Sequence, residues 1–305
     1  MNFPLVSVLL PAFNHERYIE KCLNAFAEDD YPNKECIIIN DGSTDKTNEK
    51  IMRWIEKHQH QISINYLNRE NRGLCATLNE LASRAKGEFL RLLASDDYFL
   101  NGGTQAQINY LIENPHKLAV IGDFVVVDEN DRKLFESGFS DFHRINKANY
   151  SSDNGIRREV ICRWAISGAV LMIRSSTFQT LSGWDETLKI EDWDFFLRLV
   201  ANNYLGFVDV KVCAYRIHQK NTCRVKDRLV RIENLRALAH SAKKNMDLFL
   251  DPDQTFLEAQ YHLIRAKIKF LSRNPISVFI NMGKFFLLNV TAYFIEIRNN
   301  WKKEV

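Results

Sequence analysis

The stretch GEFLRLLASDD, Gly87 to Asp97, decides how the rest of the chain is read. An apolar run from Phe89 to Leu93 ends in two adjacent carboxylates, Asp96 and Asp97, before Tyr98-Phe99-Leu100 and Asn101-Gly102-Gly103. The pattern predicts a buried strand that stops in charge. Adjacent carboxylates repel one another and are costly to desolvate unless a cation or several donors compensate them. A hard divalent ion is the natural partner, although the same pair also suits a turn or a helix cap.

Working upstream, three more apolar runs end in polar turns. Residues 5–10 (LVSVLL) have the continuous apolar character of a strand buried on both faces and lead into Pro11-Ala12-Phe13-Asn14. Asn14 is expected to cap a helix carrying Ile19, Leu23 and Phe26. A second strand, Glu35 to Ile39, closes in Asn40-Asp41-Gly42-Ser43-Thr44-Asp45 before a helix around Ile51, Trp54 and Ile55. A third, Ile62 to Leu67, passes through Asn71-Arg72-Gly73 into a helix with Leu74, Leu78 and Leu81. This alternation argues for an α/β fold with a mostly parallel sheet and right-handed crossovers. Ligands of such sheets lie beyond the carboxyl ends of the strands, so PAFN, NDGSTD, NRG and SDD should open into one crevice. G-x-G-x-x-G after the first strand and G-x-x-x-x-G-K-[ST] are both missing, which removes the phosphate cradles of dinucleotide-binding dehydrogenases and P-loop NTPases. A metal on Asp96 and Asp97 is the alternative device.

At 305 residues the chain is either two domains or one large α/β unit. Its six cysteines are dispersed without a C-x-x-C pair, which argues against a structural zinc site and for reduced thiols in the cytosol. The first apolar run is short and lacks a basic leader, so it reads as a strand and not as a signal peptide. The net charge of +3 hides an asymmetry: residues 211–305 carry 18 Lys and Arg against 8 Asp and Glu. From about residue 226 the pattern is helical. Leu229, Ile232, Leu235 and Leu238 form one stripe, and Leu257, Tyr261, Ile264, Ile268 and Leu271 another. Asn274 and Pro275 open a third helix. Lys284 and Asn281 interrupt it, which argues against a transmembrane span. The stripes either pack on protein or lie on a membrane surface, where each basic residue contributes about 1 kcal/mol.

PAFN, NDGSTD, NRG and LLASDD resemble the nucleotide-binding half of glycosyltransferase family 2. The likeness continues through Ser167-Gly168-Ala169, Gly183-Trp184-Asp185-Glu186, Glu191-Asp192-Trp193-Asp194 and Tyr215-Arg216-Ile217-His218, and covers roughly residues 4–224. The resemblance implies a GT-A fold, with a Rossmann-like sheet, flanking helices and a C-terminal helical extension. It divides the chain into a catalytic domain, 1–224 (nucleotide-binding half 1–100, acceptor half 101–224), and a helical region, 225–305. It implies inverting, metal-dependent transfer from a nucleotide sugar, UDP-linked, to a hydroxyl of a glycan or lipid-linked saccharide in surface polysaccharide assembly. The expected setting is cytoplasmic, at the inner membrane face, with peripheral membrane contact, a homo-oligomer among the partners and no nucleic acid.

By the same resemblance, Asp41 reads the uracil edge, Pro11, Ala12 and Phe13 give backbone contacts, and Arg72 lies near the nucleotide. Asp96, with Asp97 beside it, is the ligand for Mn²⁺ or Mg²⁺, and His218 is the third ligand. Trp184 is either core or a stacking surface for an acceptor sugar, and the resemblance favours the acceptor side for it and for Asp185. The sequence departs from the family pattern at Ala94, where D-x-D has its first Asp, and at Asn40, where an acid is common. The loss at Ala94 leaves room for an alternative, a catalytically silent nucleotide-binding scaffold. Independently of the family, a divalent ion on both phosphates stabilises the departing diphosphate. What remains is a base for the acceptor hydroxyl. The resemblance makes Asp192, where the family motif falls, the first candidate and Glu191 the second, although both acids would also suit a helix N-terminus electrostatically. The other histidines, His15 among them, read as surface residues, and residues 136–160 as a mobile loop.

Overall fold

The computed structural model describes residues 3–164, 168–219, 221 and 225–304. In chain order its elements are β1 (Val6–Ala12), α1 (Ile19–Glu28), β2 (Lys34–Asp41), α2 (Thr47–His58), β3 (Ser63–Arg69), α3 (Leu74–Arg84), β4 (Phe89–Leu92), β5 (Tyr98–Phe99), α4 (Gly103–Glu113), β6 (Ala119–Val127) and β7 (Lys133–Phe135). There follow α5 (Asp153–Cys162), β8 (Leu171–Arg174), α6 (Ser175–Thr180), α7 (Asp192–Ala201), β9 (Leu205–Arg216), α8 (Arg228–Lys244), α9 (Asp253–Leu271) and α10 (Pro275–Glu304). They form two compact units. One comprises Met1–Ser151, Ala165–Thr187 and Tyr204–His218, and the other Ser152–Trp164, Leu188–Asn203 and Gln219–Val305.

The first unit is built on one sheet in the order β3-β2-β1-β4-β8-β6-β9-β5, with β7 paired to β6. β1, β2 and β4 are buried along nearly all their length because both faces are covered, which is why the runs Val8–Leu10, Cys36–Ile39 and Phe89–Leu90 show no polar alternation. β3, β2, β1 and β4 are mutually parallel, as the order of elements predicts. Their register aligns Ala12 with Asn40 and Asp41 with Arg69, while Leu9 faces Leu92, so the carboxyl ends share one edge. Beyond β4 the sheet becomes mixed: β8 is antiparallel to β4 and β6, and β9 is parallel to β6. α1 covers one face with Ile19, Cys22, Leu23 and Phe26. Asn14 is not its cap. The helix begins at Ile19, and Asn14 instead adopts a left-handed backbone (φ 54°) and accepts from the Thr44 N–H at 2.8 Å.

Arg91 on β4 is fully buried, and burial lowers its pKa to about 10. It faces Asp29 at 3.4 Å, donates to the Val212 carbonyl at 2.7 Å and to the Thr104 hydroxyl, and lies over the Phe99 ring.

The second unit is helical, made of α5, α7, α8, α9 and α10. Residues 153–160, the end of the stretch expected to be a mobile loop, fall within α5. Ser152 caps it, and Ile156, Val160 and Ile161 are buried. The Trp193 indole N–H donates to the Val160 carbonyl at 2.8 Å, tying α7 to α5. Asp194 accepts from Asn245 at 2.8 Å and pairs with Lys244 at 3.1 Å, tying α7 to α8. α9 buries Phe256, Leu257, Ile264 and Ile268.

α10 differs from expectation. It runs unbroken through Asn281 and Lys284, and Pro275–Asn299 is long and apolar enough to cross a membrane by length and composition. Asn281 does not break it because its amide is satisfied inside the unit, donating to the Ser277 carbonyl at 2.7 Å and meeting His262 at 3.0 Å. The Asn274 side chain does cap it, accepting from Ser277 N–H at 3.1 Å. Phe279, Phe286, Leu287 and Phe294 are all at least 60% exposed.

Candidate active site

The polar turns after β1, β2, β3 and β4 are stitched together at the shared edge of the sheet. The Asn14 N–H donates to Ser43, the His15 N–H to Thr47 (both 2.9 Å) and the Glu16 N–H to Asp45 at 3.1 Å. Asn71 donates to the Asp41 carbonyl at 2.8 Å. Gly42 makes this closeness possible: its φ is +76°, and a Cβ there would stand 2.6 Å from the Asn71 nitrogen.

Asp96 lies in that edge with His218 and His15, and their ligand atoms all fall within 4.8 Å of one another. His218 Nε2 is 3.0 Å from Asp96 Oδ2, and His15 Nδ1 is 3.9 Å from Asp96 Oδ1 and 2.8 Å from the Ser95 hydroxyl. The Tyr18 ring packs against the His218 ring at 4.8 Å. Burial would raise the Asp96 carboxyl, but the bond to His218 and the neighbouring His15 outweigh it and hold it below the usual range. Asp97 is the opposite case: burial first, then the charge of Asp96, push it well above.

Asp97 therefore does not join the cluster as expected. It is 2% exposed and accepts from the Arg216 N–H at 2.8 Å. The buried Arg216 guanidinium donates to the Asp96 carbonyl at 2.8 Å and pairs with Asp131 at 2.7 Å, fixing the SDD turn to the end of β9. His15 is a correction in the other direction. Read from sequence as a surface residue, it is partly buried beside Asp96. Its place directly after PAFN, at a strand end already predicted to enter the crevice, is the signal that would have found it.

Asp41 is buried, and its carboxylate is heavily engaged. It accepts from the N–H groups of Arg72 and Gly73, each at 3.0 Å, and pairs with Arg69 at 2.7 Å. Arg69, unnoticed in the sequence, thus organises this loop. The Arg72 side chain is largely exposed, 3.6 Å from Glu80. Ala12 is buried at the end of β1, Pro11 is partly buried, and Phe13 is 46% exposed.

Trp184 corrects the acceptor expectation. It is 3% exposed, and Asn79 brackets its backbone, accepting from its N–H at 2.8 Å and donating to its carbonyl at 2.9 Å. A ring so covered has no open face for a sugar. Asp185 folds back on Thr187, accepting from its N–H at 2.9 Å and its hydroxyl at 2.6 Å. Gly168 and Ala169 are described, whereas Ser167 lies outside the described residues.

In the helical unit, Glu191 and Asp192 stand at the N-terminus of α7 as a hydrogen-bonded carboxyl pair. Burial and the charge of Asp192 push Glu191 well up, and burial raises Asp192 less because the bond from Glu191 offsets it. Two acids so placed titrate as a pair, and both hold their protons more tightly than free carboxyls do. Asp194 is structural: besides its bonds to α8 it pairs with Arg198 at 2.9 Å.

This curled α/β arrangement is the GT-A fold. It is similar to a mannosyltransferase from Pyrobaculum calidifontis solved with GDP-Man and Mn²⁺ (TM-score 0.64, 18% identity, covering 96% of this chain and 81% of that one). It is also similar to residues 1–349 of TarS from S. aureus solved with UDP-GlcNAc (TM-score 0.57, 18% identity, 90% and 88%). The sequence profile of glycosyl transferase family 2 matches residues 7–170, more than half of the chain, and the chain belongs to that family. Among curated relatives, the putative teichuronic acid biosynthesis glycosyltransferase TuaG of Bacillus subtilis is 34% identical over 110 residues, 36% of this chain and 43% of that protein. The chain spans between 30% and 66% of the length of the Rickettsia glycosyltransferases it matches.

Proposed function

We propose that the chain is an inverting, metal-dependent glycosyltransferase that moves a sugar from a UDP-sugar to a hydroxyl of a glycan or lipid-linked saccharide, in surface polysaccharide assembly. The observation that carries this reading is the meeting of Asp96, His218 and His15 at the carboxyl edge of the parallel strands, in a chain of glycosyl transferase family 2. Two imidazoles and one carboxylate would hold a divalent first-row ion, and the imidazoles speak for a softer ion such as Mn²⁺ over Mg²⁺. His15 makes up for the carboxylate that Ala94 lacks, which weighs against the silent-scaffold alternative. When bound, the ion would neutralise charge growing on the departing diphosphate.

The protein's own groups do the rest. Arg216 and Ser95 hold the SDD turn and the His15 ring in orientation. Asp41 holds the Arg72-Gly73 turn, with Pro11, Ala12 and Phe13 on the adjoining strand end, as the walls for the nucleotide. Asp192 takes the proton from the acceptor hydroxyl as sugar transfer proceeds in line, and Glu191, hydrogen-bonded to it, tunes its basicity. The exposed face of α10 and the basic tail speak for attachment to a membrane surface on the cytoplasmic side.

The test is UDP release and product analysis on a panel of UDP-sugars with Mn²⁺, with and without EDTA. Transfer that EDTA abolishes and that Asp192→Asn removes, with UDP binding intact, is the expected result. Full transfer in EDTA would end the metal reading, and survival of transfer in Asp192→Asn would end the assignment of the base. For the membrane half, Phe279→Ser/Phe286→Ser should lower co-sedimentation with lipid vesicles, and unchanged binding would remove α10 from that role.

A further inference from the structure

Between α8 and α9 lies a groove of about 330 Å³, within the size range of small-ligand sites. Its walls carry Arg236 and Lys243 from α8 and Arg265 and Lys269 from α9, with His240 beside them, and its floor is the buried pair Ala239 and Ile268. The spacing is helical: Arg236 and Lys243 are two turns apart, Arg265 and Lys269 one turn, so each helix turns a cationic face to the same space.

None of these four cations pairs with a carboxylate among the described residues. Other cations of this unit do: Arg157 and Arg158 pair with Asp253, Arg198 and Lys244 with Asp194, and Lys189 with Glu233. Four positive charges gathered without an acid repel one another, and an anion with several acceptor oxygens relieves that repulsion through charge-assisted bonds. Arg265 is also pre-oriented, since its guanidinium donates to the Tyr261 hydroxyl at 3.1 Å.

We propose that this groove is a binding site for a phosphate group. The phosphate is carried either by the headgroup of an anionic phospholipid or by a soluble ester or diphosphate. The inference does not depend on the transferase reading, because none of its residues is assigned to the reaction. It is tested on the full chain in EDTA, with inorganic pyrophosphate by calorimetry and with vesicles of phosphatidylcholine alone or mixed with phosphatidylglycerol by co-sedimentation. The comparison variant is Arg236→Gln/Lys243→Gln/Arg265→Gln/Lys269→Gln, with Lys243→Arg/Lys269→Arg as the charge-preserving control. Circular dichroism and thermal melting check that both fold.

The expected result is that the wild type and the Arg control bind pyrophosphate and the Gln variant does not. If the source is a lipid headgroup, binding to the anionic vesicles also falls by about fivefold per cation removed, and pyrophosphate competes with them. If the source is soluble, vesicle binding stays unchanged while pyrophosphate binding is lost. The proposal is overturned if the wild type does not bind pyrophosphate, or if the folded Gln variant binds pyrophosphate as the wild type does, whatever happens to the vesicles.

Discussion

Asp96 and His218, separated by 122 positions in the chain, stand 3.0 Å apart from carboxylate oxygen to Nε2, with Arg216 holding the Asp96 turn against the strand that delivers the histidine. The contact lies inside the sheet unit, so it is part of the resting architecture of that unit. His15 completes the group from the end of β1, and the Ser95 hydroxyl orients it.

His15→Ala should therefore weaken Mn²⁺ binding without unfolding the sheet. It removes one of the three donor side chains, and the nitrogen it takes away, Nδ1, is the one that faces Asp96. Titration of Mn²⁺ followed by electron paramagnetic resonance measures it, and an unchanged affinity would show that His15 is not held for a metal.

Gly42→Ala should destabilise the protein by about 1–2 kcal/mol, the cost of forcing a side chain into a left-handed backbone. The new Cβ would also press on the Asn71 nitrogen, so UDP binding should weaken together with stability. Denaturant melts and UDP calorimetry report the two effects separately.

Arg91→Met should cost about 3–5 kcal/mol, the usual penalty for removing one member of a buried ion pair. Its partner Asp29 is almost fully buried and would keep Lys34, 3.8 Å away, the Thr104 hydroxyl and the Tyr31 N–H, but lose the guanidinium buried beside it. Arg91→Met/Asp29→Leu should recover much of the loss, and equal destabilisation of single and double variants would contradict this account.

The acid pair at α7 gives a pH dependence of defined sign. Both carboxyls titrate above their unfolded values, so the folded state holds protons more tightly than the unfolded chain. Their contribution to stability is complete below the unfolded values, about pH 4, and is lost as pH rises through the folded ones. Glu191→Gln should thus gain stability at pH 8 relative to the wild type and little at pH 4. Denaturation midpoints at the two pH values check it, and a wild-type-like slope in the variant would contradict the raised titration of the pair.

Some elements were legible because their causes are local. Continuous apolar runs in β1, β2 and β4 report strands covered on both faces, and the β-α alternation fixes their parallel order. Asn274 before Pro275 marks the start of α10 by capping chemistry alone. Asn14 misled because the same side chain that caps a helix can bridge two loops, and only the neighbouring NDGST turn decides which. Residues 153–160 were missed because a polar surface hides the three apolar residues that α5 buries.

By itself the sequence determined the parallel half of the sheet and the polar turns at its edge, since these follow from hydrophobic periodicity and residue type, and its motifs carried the resemblance to the family. Tertiary structure alone decided that His15 joins Asp96, that Asp97 turns away to Arg216, that Trp184 is covered and that four cations share a groove between α8 and α9. Each of those depends on side-chain direction and on neighbours that the linear order keeps apart, and packing, not composition, sets both.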